Sequence, residues 1–252
     1  MRRLPALATA ALLALVALVA PAMAGSVTVA VAANFAGPMA RIAEGFTATT
    51  GHVAKIASGA TGKFYTQIAH GGAPFEVLLA ADDETPARLV KEGHAVAGSA
   101  FTYAIGQLVL WSATPGLVDE QGAVLATGRF NKLAIANPKT APYGAAALEV
   151  LRARGLLAAV TPKLVTAESI AQAYQFAFTG NADLAFVALS QVALPGQPVP
   201  GSVWRVPPSL HGELRQDAVL LRAGASNAAA RALLDYLQSP AARAVIAAYG
   251  YR

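Results

Sequence analysis

SVTVAVA at residues 26–32, followed by the turn 33–38 and the amphipathic stretch 39–47, decides the fold of this chain. The alternating β-branched residues predict a strand, and the stretch after the turn predicts a helix. The pattern recurs twice, as strand 53–57 with helix 64–70 and as strand 77–80 with helix 85–93. Repeated strand–helix alternation favours an α/β fold, in which a mainly parallel sheet is flanked by helices.

A second series of the same type fills the middle of the chain. It comprises strands 107–111, 133–136 and 184–187 and helices 144–154 and 169–179. After an irregular, proline-rich stretch, the chain closes with strand 218–221 and helices 228–238 and 241–249. Two such series predict two lobes, and ligands of such sheets bind at the carboxyl ends of the strands.

Composition narrows the class of protein. The chain has 252 residues, of which 55% are hydrophobic, a formal net charge of +5 and no cysteine. This content supports a buried core, in one large domain or in two smaller ones, and excludes disorder as the main state. The lack of cysteine excludes disulfides, thiolate catalysis and cysteine metal sites. Because the basic residues are not clustered, we expect a small anion rather than nucleic acid as the partner.

The first 24 residues have the order of a secretory signal. Two arginines precede a mostly apolar stretch, which ends in small residues up to Ala24. This order predicts cleavage after Ala24 and export to the periplasm, the alternative being a membrane anchor. No later stretch reaches the roughly 18 uninterrupted apolar residues that a membrane-spanning helix needs.

Three strand-to-helix turns carry candidate ligand groups, because helix N-termini present unpaired N–H groups and a positive dipole end to anions. In the first turn, Asn34 either donates its amide to a ligand or caps the helix. In the second, Ser58 and Thr61 are donors or plain caps, and the turn lacks the glycine spacing of a nucleotide P-loop. In the third, Pro142 fixes the helix start, and Tyr143 is a donor or a surface aromatic.

Enzyme motifs are missing from the sequence. It contains neither G-x-S-x-G nor H-E-x-x-H, and its four histidines are isolated. The acidic run 82–84 follows a strand and is typical of a charge cluster at a helix N-terminus. We therefore expect no catalytic residues, no bound metal ion, no cofactor and no enzymatic activity.

Taken in order, these turns resemble the periplasmic molybdate-binding proteins of ABC transporters, which have the type II periplasmic-binding-protein fold. The resemblance covers residues 26–252 and is carried by segments 29–35, 58–68, 72–75, 80–82, 234–240 and 249–251. In that family, neutral donors hold the oxyanion between two lobes without a countercharge.

The resemblance also implies a ligand set and a division into lobes. Carried over by position, the oxyanion ligands fall on Asn34 with Ala33 beside it, on Thr61, on Tyr143 and on a backbone donor at Ile170. Many members have a tyrosine where this chain has Ala188, so Tyr143 is expected to supply that hydroxyl. The lobes are expected at 25–104 plus 214–252 and at 105–213, with crossings near 103–106 and 211–216.

The function implied by the resemblance is capture of molybdate, and of tungstate, for delivery to the membrane permease of an ABC transporter. Three alternatives remain at this stage: a binding protein for sulfate, phosphate or another small oxyanion, a secreted enzyme acting on an anionic substrate, and an exported sensor. We expect a soluble monomer.

Overall fold

The computed structural model describes residues 24–252, so the signal peptide expected at residues 1–24 lies, apart from Ala24, outside the described residues. The strands are β1 (Ser26–Ala32), β2 (Val53–Gly59), β3 (Val77–Leu79), β4 (Phe101–Gly106), β5 (Leu108–Ser112), β6 (Leu133–Ala136), β7 (Leu164–Ala167), β8 (Leu184–Ala188), β9 (Ser202–Arg205) and β10 (Leu214–Leu220). The helices are α1 (Ala36–Thr50), α2 (Thr61–Ala69), α3 (Glu84–Lys91), α4 (Val124–Thr127), α5 (Pro142–Ala153), α6 (Leu157–Val160), α7 (Ile170–Phe178), α8 (Leu189–Val192), α9 (Ala228–Leu237) and α10 (Pro240–Ala248).

Two five-stranded sheets define the two lobes, which confirms the expected fold class. The first lobe is built on the order β2-β1-β3-β10-β4 and the second on β7-β6-β8-β5-β9. Each sheet is mixed: β1 and β6 have parallel neighbours, whereas β10 and β5 run antiparallel to theirs. The expectation of mainly parallel sheets missed these antiparallel strands, which lie next to the connections between the sheets.

The sequence missed β4, β7 and β9, which are all edge strands. An edge strand is covered less completely than a central one, so its residues do not form the apolar run that reveals β1 or β8. Strand β9 also lies inside the proline-rich stretch that was predicted to be irregular.

Two of the helices that begin earlier than predicted matter for the site. Helix α2 begins at Thr61 rather than Phe64, and α5 begins at Pro142 rather than Gly144. Proline is well suited to the first helical position because its fixed φ fits the helix and its missing N–H would have no partner there. Thr61 and Tyr143 therefore lie in first helical turns, where backbone N–H groups are unpaired.

The cores form on both faces of each sheet. Val27, Val29 and Val31 of β1 pack on one face against α1, α9 and α10, whereas Ala30 packs on the other with Phe64. The two sheets join at Gln107, the single residue between β4 and β5. Within residues 24–252, every helix is too short or too polar to cross a membrane.

Candidate functional site

The five residues predicted to bind an oxyanion line one small cavity between the lobes, namely Ala33, Asn34, Thr61, Tyr143 and Ile170. The free volume of this cavity is about 10 Å³. Its remaining lining consists of small or apolar residues: Ala32, Gly59, Ala60, Ala81, Ala141 and Pro142. Within the described residues, no charged side chain lines the cavity.

Asn34 lies in the short 3₁₀ turn Ala33–Phe35 that follows β1, and it is 2% exposed. Its Nδ2 donates to Gln216 Oε1 and to the Tyr251 hydroxyl, each at 2.9 Å. Helix α1 is preceded by Phe35 and has no side-chain cap. The interpretation of Asn34 as a helix cap is therefore wrong.

Thr61 is the first residue of α2 and is 1% exposed. Its Oγ1 accepts a hydrogen bond of 3.0 Å from the backbone N–H of Ala81, which also lines the cavity. Because the oxygen already accepts, its own proton remains available for a ligand. Ala60, not Thr61, occupies the cap position, so the plain-cap alternative is wrong here too. Ser58 is exposed and does not line the cavity.

The second lobe contributes the starts of two helices. Tyr143 is the second residue of α5, and Ile170 is the first residue of α7. At these positions the backbone N–H has no partner within its own helix, and the helix dipole adds partial positive charge. Ser169 caps α7 by accepting from Gln172 N at 3.3 Å. Tyr143 is 2% exposed, which contradicts its alternative placement on the lobe surface.

A buried polar network that the sequence did not reveal surrounds Asn34. The backbone carbonyl oxygen of Asn34 accepts from Ser190 Oγ and from the Tyr251 hydroxyl, both at 2.8 Å. Gln216 donates through Nε2 to the Tyr143 hydroxyl at 3.1 Å. Gln216 has no motif around it, and only the resemblance of segment 249–251 pointed towards Tyr251.

The buried tyrosines of this network stay protonated far into the alkaline range. Loss of solvent raises the pKa of Tyr143 well above its usual value, and the nearby Tyr251 raises it further. Burial likewise raises the pKa of Tyr103 and of Tyr251. A neutral phenol keeps its proton and therefore remains a hydrogen-bond donor.

A larger cleft of about 420 Å³ opens beside the small cavity and is much more acidic. It is lined by carboxylates from both lobes: Asp82, Asp83, Glu84, Glu149 and Glu213. Asp82 accepts from the N–H of Thr85 at 2.8 Å, and burial raises the pKa of its carboxyl. The acidic run 82–84 thus lies at the start of α3, as predicted. Within residues 24–252, no three His, Asp or Glu side chains are grouped so as to hold a metal ion.

Direct contacts hold the two lobes together over the cavity. The backbone N–H of Gly62 donates to the carbonyl of Thr140 at 2.9 Å. A β-carbon at Gly62 would lie 2.9 Å from Thr140 Cα, so glycine permits this approach. Lys63 and Glu168 form an exposed ion pair beside it. Because these contacts join the two lobes, the lobes are closed over the cavity in this structure.

Comparisons with known proteins agree with this architecture. Residues 27–252 match the family of bacterial extracellular solute-binding proteins. The chain is 60% identical over 230 residues to the molybdate-binding protein ModA of Azotobacter vinelandii, covering 91% of each chain. It is 55% identical over 241 residues to the molybdate-binding protein ModA of Rhodobacter capsulatus, covering 96% of this chain and 94% of that one.

A solved structure extends the similarity to three dimensions. The periplasmic molybdate-binding protein of Azotobacter vinelandii superposes with a TM-score of 0.87 at 43% sequence identity, covering 90% of this chain and 98% of that one. These relatives are binding proteins, which confirms the expectation that the chain is not an enzyme. The chain therefore belongs to the bacterial extracellular solute-binding proteins and, within them, to the family of periplasmic molybdate-binding proteins.

Proposed function

We propose that this protein captures molybdate, and also tungstate, in the small cavity between its lobes and delivers it to the membrane permease of an ABC transporter. The names of its two ModA relatives support molybdate as the ligand. The oxyanion is cargo rather than a cofactor, and its metal enters only as part of the anion. The proposed ligand set is Ala33, Asn34, Thr61, Tyr143 and Ile170.

The observation that carries this proposal is the cavity's lining of neutral hydrogen-bond donors. Thr61, Tyr143 and Ile170 all line this space; two of them carry hydroxyls, and all three lie in first helical turns, where backbone N–H groups are unpaired. A fully deprotonated dianion accepts from every such donor. Hydrogen phosphate carries a proton of its own, which would face those donors, so the lining disfavours it.

The size of the cavity supports a compact ligand. Its free space is only about 10 Å³, which favours a small inorganic anion over a sugar or a peptide. Molybdate and tungstate have nearly the same size and should bind alike. Sulfate is smaller and would leave some of its bonds to the same donors long, which favours the larger anions.

Closure of the lobes would couple capture to delivery. We assign residues 25–104 and 214–252 to the first lobe and residues 105–213 to the second, moving about Gln107 and the connection after β9. A ligand that touches both lobes favours the closed form, and closure creates the surface that a transporter recognises. Membership of an extracellular family supports a periplasmic location. We propose that the protein acts there as a monomer after its signal peptide is removed.

Isothermal titration of the purified protein with molybdate, tungstate, sulfate and phosphate tests the proposal. We expect tight binding of molybdate and tungstate and at least about 100-fold weaker binding of the other two anions, or roughly 2.7 kcal/mol. Size-exclusion chromatography with light scattering tests the monomer in the same sample. Tight sulfate binding would reassign the ligand, and no binding of any of the four anions would refute the proposal.

A further inference from the structure

Gln216 is a buried amide at the contact between the lobes, outside the lining of the cavity. It is 0% exposed and lies in β10, where the pairing with β4 shifts register between Gln216 and Asp217. Bulges of this kind re-aim side chains and recur beside functional sites. Leaving a buried amide unpaired is costly, so its hydrogen bonds indicate what it is placed to do.

The two ends of this amide face opposite lobes. In the first lobe, Oε1 accepts from Asn34 Nδ2 at 2.9 Å and lies 3.1 Å from the hydroxyl of Tyr103, which also contacts a backbone carbonyl. Towards the second lobe, Nε2 donates to the Tyr143 hydroxyl at 3.1 Å. The bond from Asn34 thus fixes the amide so that its N–H points across the cleft.

The direction of this last bond decides what Tyr143 offers to a ligand. A phenol has one proton, and when its oxygen accepts from Gln216 that proton can be donated either to the cavity that Tyr143 lines or to the neighbouring Tyr251. With the amide reversed, Oε1 would take the proton, and the phenol oxygen would present lone pairs to the anion. We propose that Gln216 is a positioning residue that makes Tyr143 a donor to the bound oxyanion.

The backbone at the hinge packs directly against this pair. Gly106 is the last residue of β4, immediately before Gln107 leads into the second lobe. A β-carbon at Gly106 would overlap both the Tyr143 hydroxyl oxygen and Gln216 Nε2. Glycine therefore leaves room for the bond at the point where the lobes meet. The bond joins residues that we assign to opposite lobes.

This inference rests on the proposed oxyanion function and deepens it. A positioning role differs from a merely structural role in one respect. If Gln216 positions Tyr143, its effect on binding must depend on the presence of the Tyr143 hydroxyl. Gln216→Met keeps the length of the side chain and removes its hydrogen bonds. Tyr143→Phe removes only the hydroxyl. Gly106→Ala keeps both side chains and forces them apart.

A double-mutant cycle with sodium molybdate, followed by isothermal titration, tests the proposal. We expect Gln216→Met to weaken molybdate binding about 10-fold or more in the otherwise unchanged protein, and less than about 3-fold in the Tyr143→Phe background. Gly106→Ala should show the same dependence on the hydroxyl. Gln238→Met, which changes an exposed amide just after the end of α9 and away from the cavity, is the control and should leave binding unchanged.

Equal losses in both backgrounds would assign Gln216 a structural role and overturn the proposal, as would unchanged binding by Gln216→Met. If Gln216→Met fails to fold in a thermal melt, Gln216→Leu in the same cycle decides the question by the same criterion. Failure of the unsubstituted protein to bind any oxyanion would instead refute the proposed function, so the two failures are distinguishable.

Discussion

The two walls of the cavity are held in place by different means. On the first-lobe wall, the side chains of Asn34 and Thr61 are fixed by bonds inside their own lobe, to Gln216, Tyr251 and Ala81. On the second-lobe wall, donors come from helix starts, and the Tyr143 hydroxyl is tied across the cleft to Gln216. The side chains of the first wall are thus fixed mainly within one lobe, with one bond from Ser190 Oγ of the second lobe to the Asn34 carbonyl, whereas the Tyr143 hydroxyl depends on a bond across the cleft. We therefore expect an anion to bind the first lobe first.

Among the tests of the two walls, Asn34→Asp should weaken molybdate binding most. The substitution keeps the shape of the side chain, removes its donor and places a carboxylate against a dianion in a buried site. We expect molybdate affinity to fall about 1,000-fold, or roughly 4 kcal/mol, in isothermal titration. Asn34→Ser keeps a donor and is the control, with a loss of about 10-fold. Equal losses for the two variants would show that the charge of this wall is irrelevant.

Thr61→Val comes next because it removes one hydroxyl and leaves the shape of the side chain nearly unchanged. It deprives the anion of a donor and the Ala81 N–H of its acceptor. A hydrogen bond to a charged group contributes about 2 kcal/mol, so we expect a loss of about 30-fold. Thr61→Ser should retain most of the affinity. If Thr61→Val binds normally, the first wall does not depend on this hydroxyl.

Lys63→Met tests whether the ion pair between the lobes contributes to closure and so to binding. The ion pair between Lys63 and Glu168 is exposed to solvent and screened by salt, and such pairs contribute little. We expect molybdate affinity to change less than about 3-fold, and the difference to vanish in high salt. Titrations at low and high ionic strength measure it. A large loss that persists in high salt would place the closing contact here instead of at Tyr143.

Raising the pH to 10 should change molybdate affinity less than any of these substitutions. The pKa of Tyr143 is raised, so its phenol stays neutral above pH 10, near which an exposed tyrosine ionises. The donor form is therefore present throughout, and we expect molybdate affinity to vary less than about 2-fold between pH 7 and 10. Titrations across this range, with circular dichroism to confirm folding, provide the measurement. A steep loss near pH 10 would mean that Tyr143 is solvated when the anion binds.

Much of the fold was predictable from local pattern. The central strands β1, β6 and β8 are apolar and were found close to their true bounds, as were the amphipathic helices α7 and α9. The edge strands β4, β7 and β9 were missed because their residues alternate weakly or lie among prolines, whereas the edge strand β2 was found. The starts of α2 and α5 were placed two or three residues late, since turn-like residues such as Thr61 also fit a first helical turn.

The sequence by itself determined the α/β class, the two lobes and the strand-to-helix turns at which an anion can bind, because these follow from hydrophobic period and from helix termini. Only the tertiary structure decided how the polar side chains at the cavity are paired with one another. Asn34 and Gln216 are 182 residues apart, and their contact depends on β10 returning to the first sheet. Hydrogen-bond direction depends on partners brought together by packing, and no local pattern of residues contains that information.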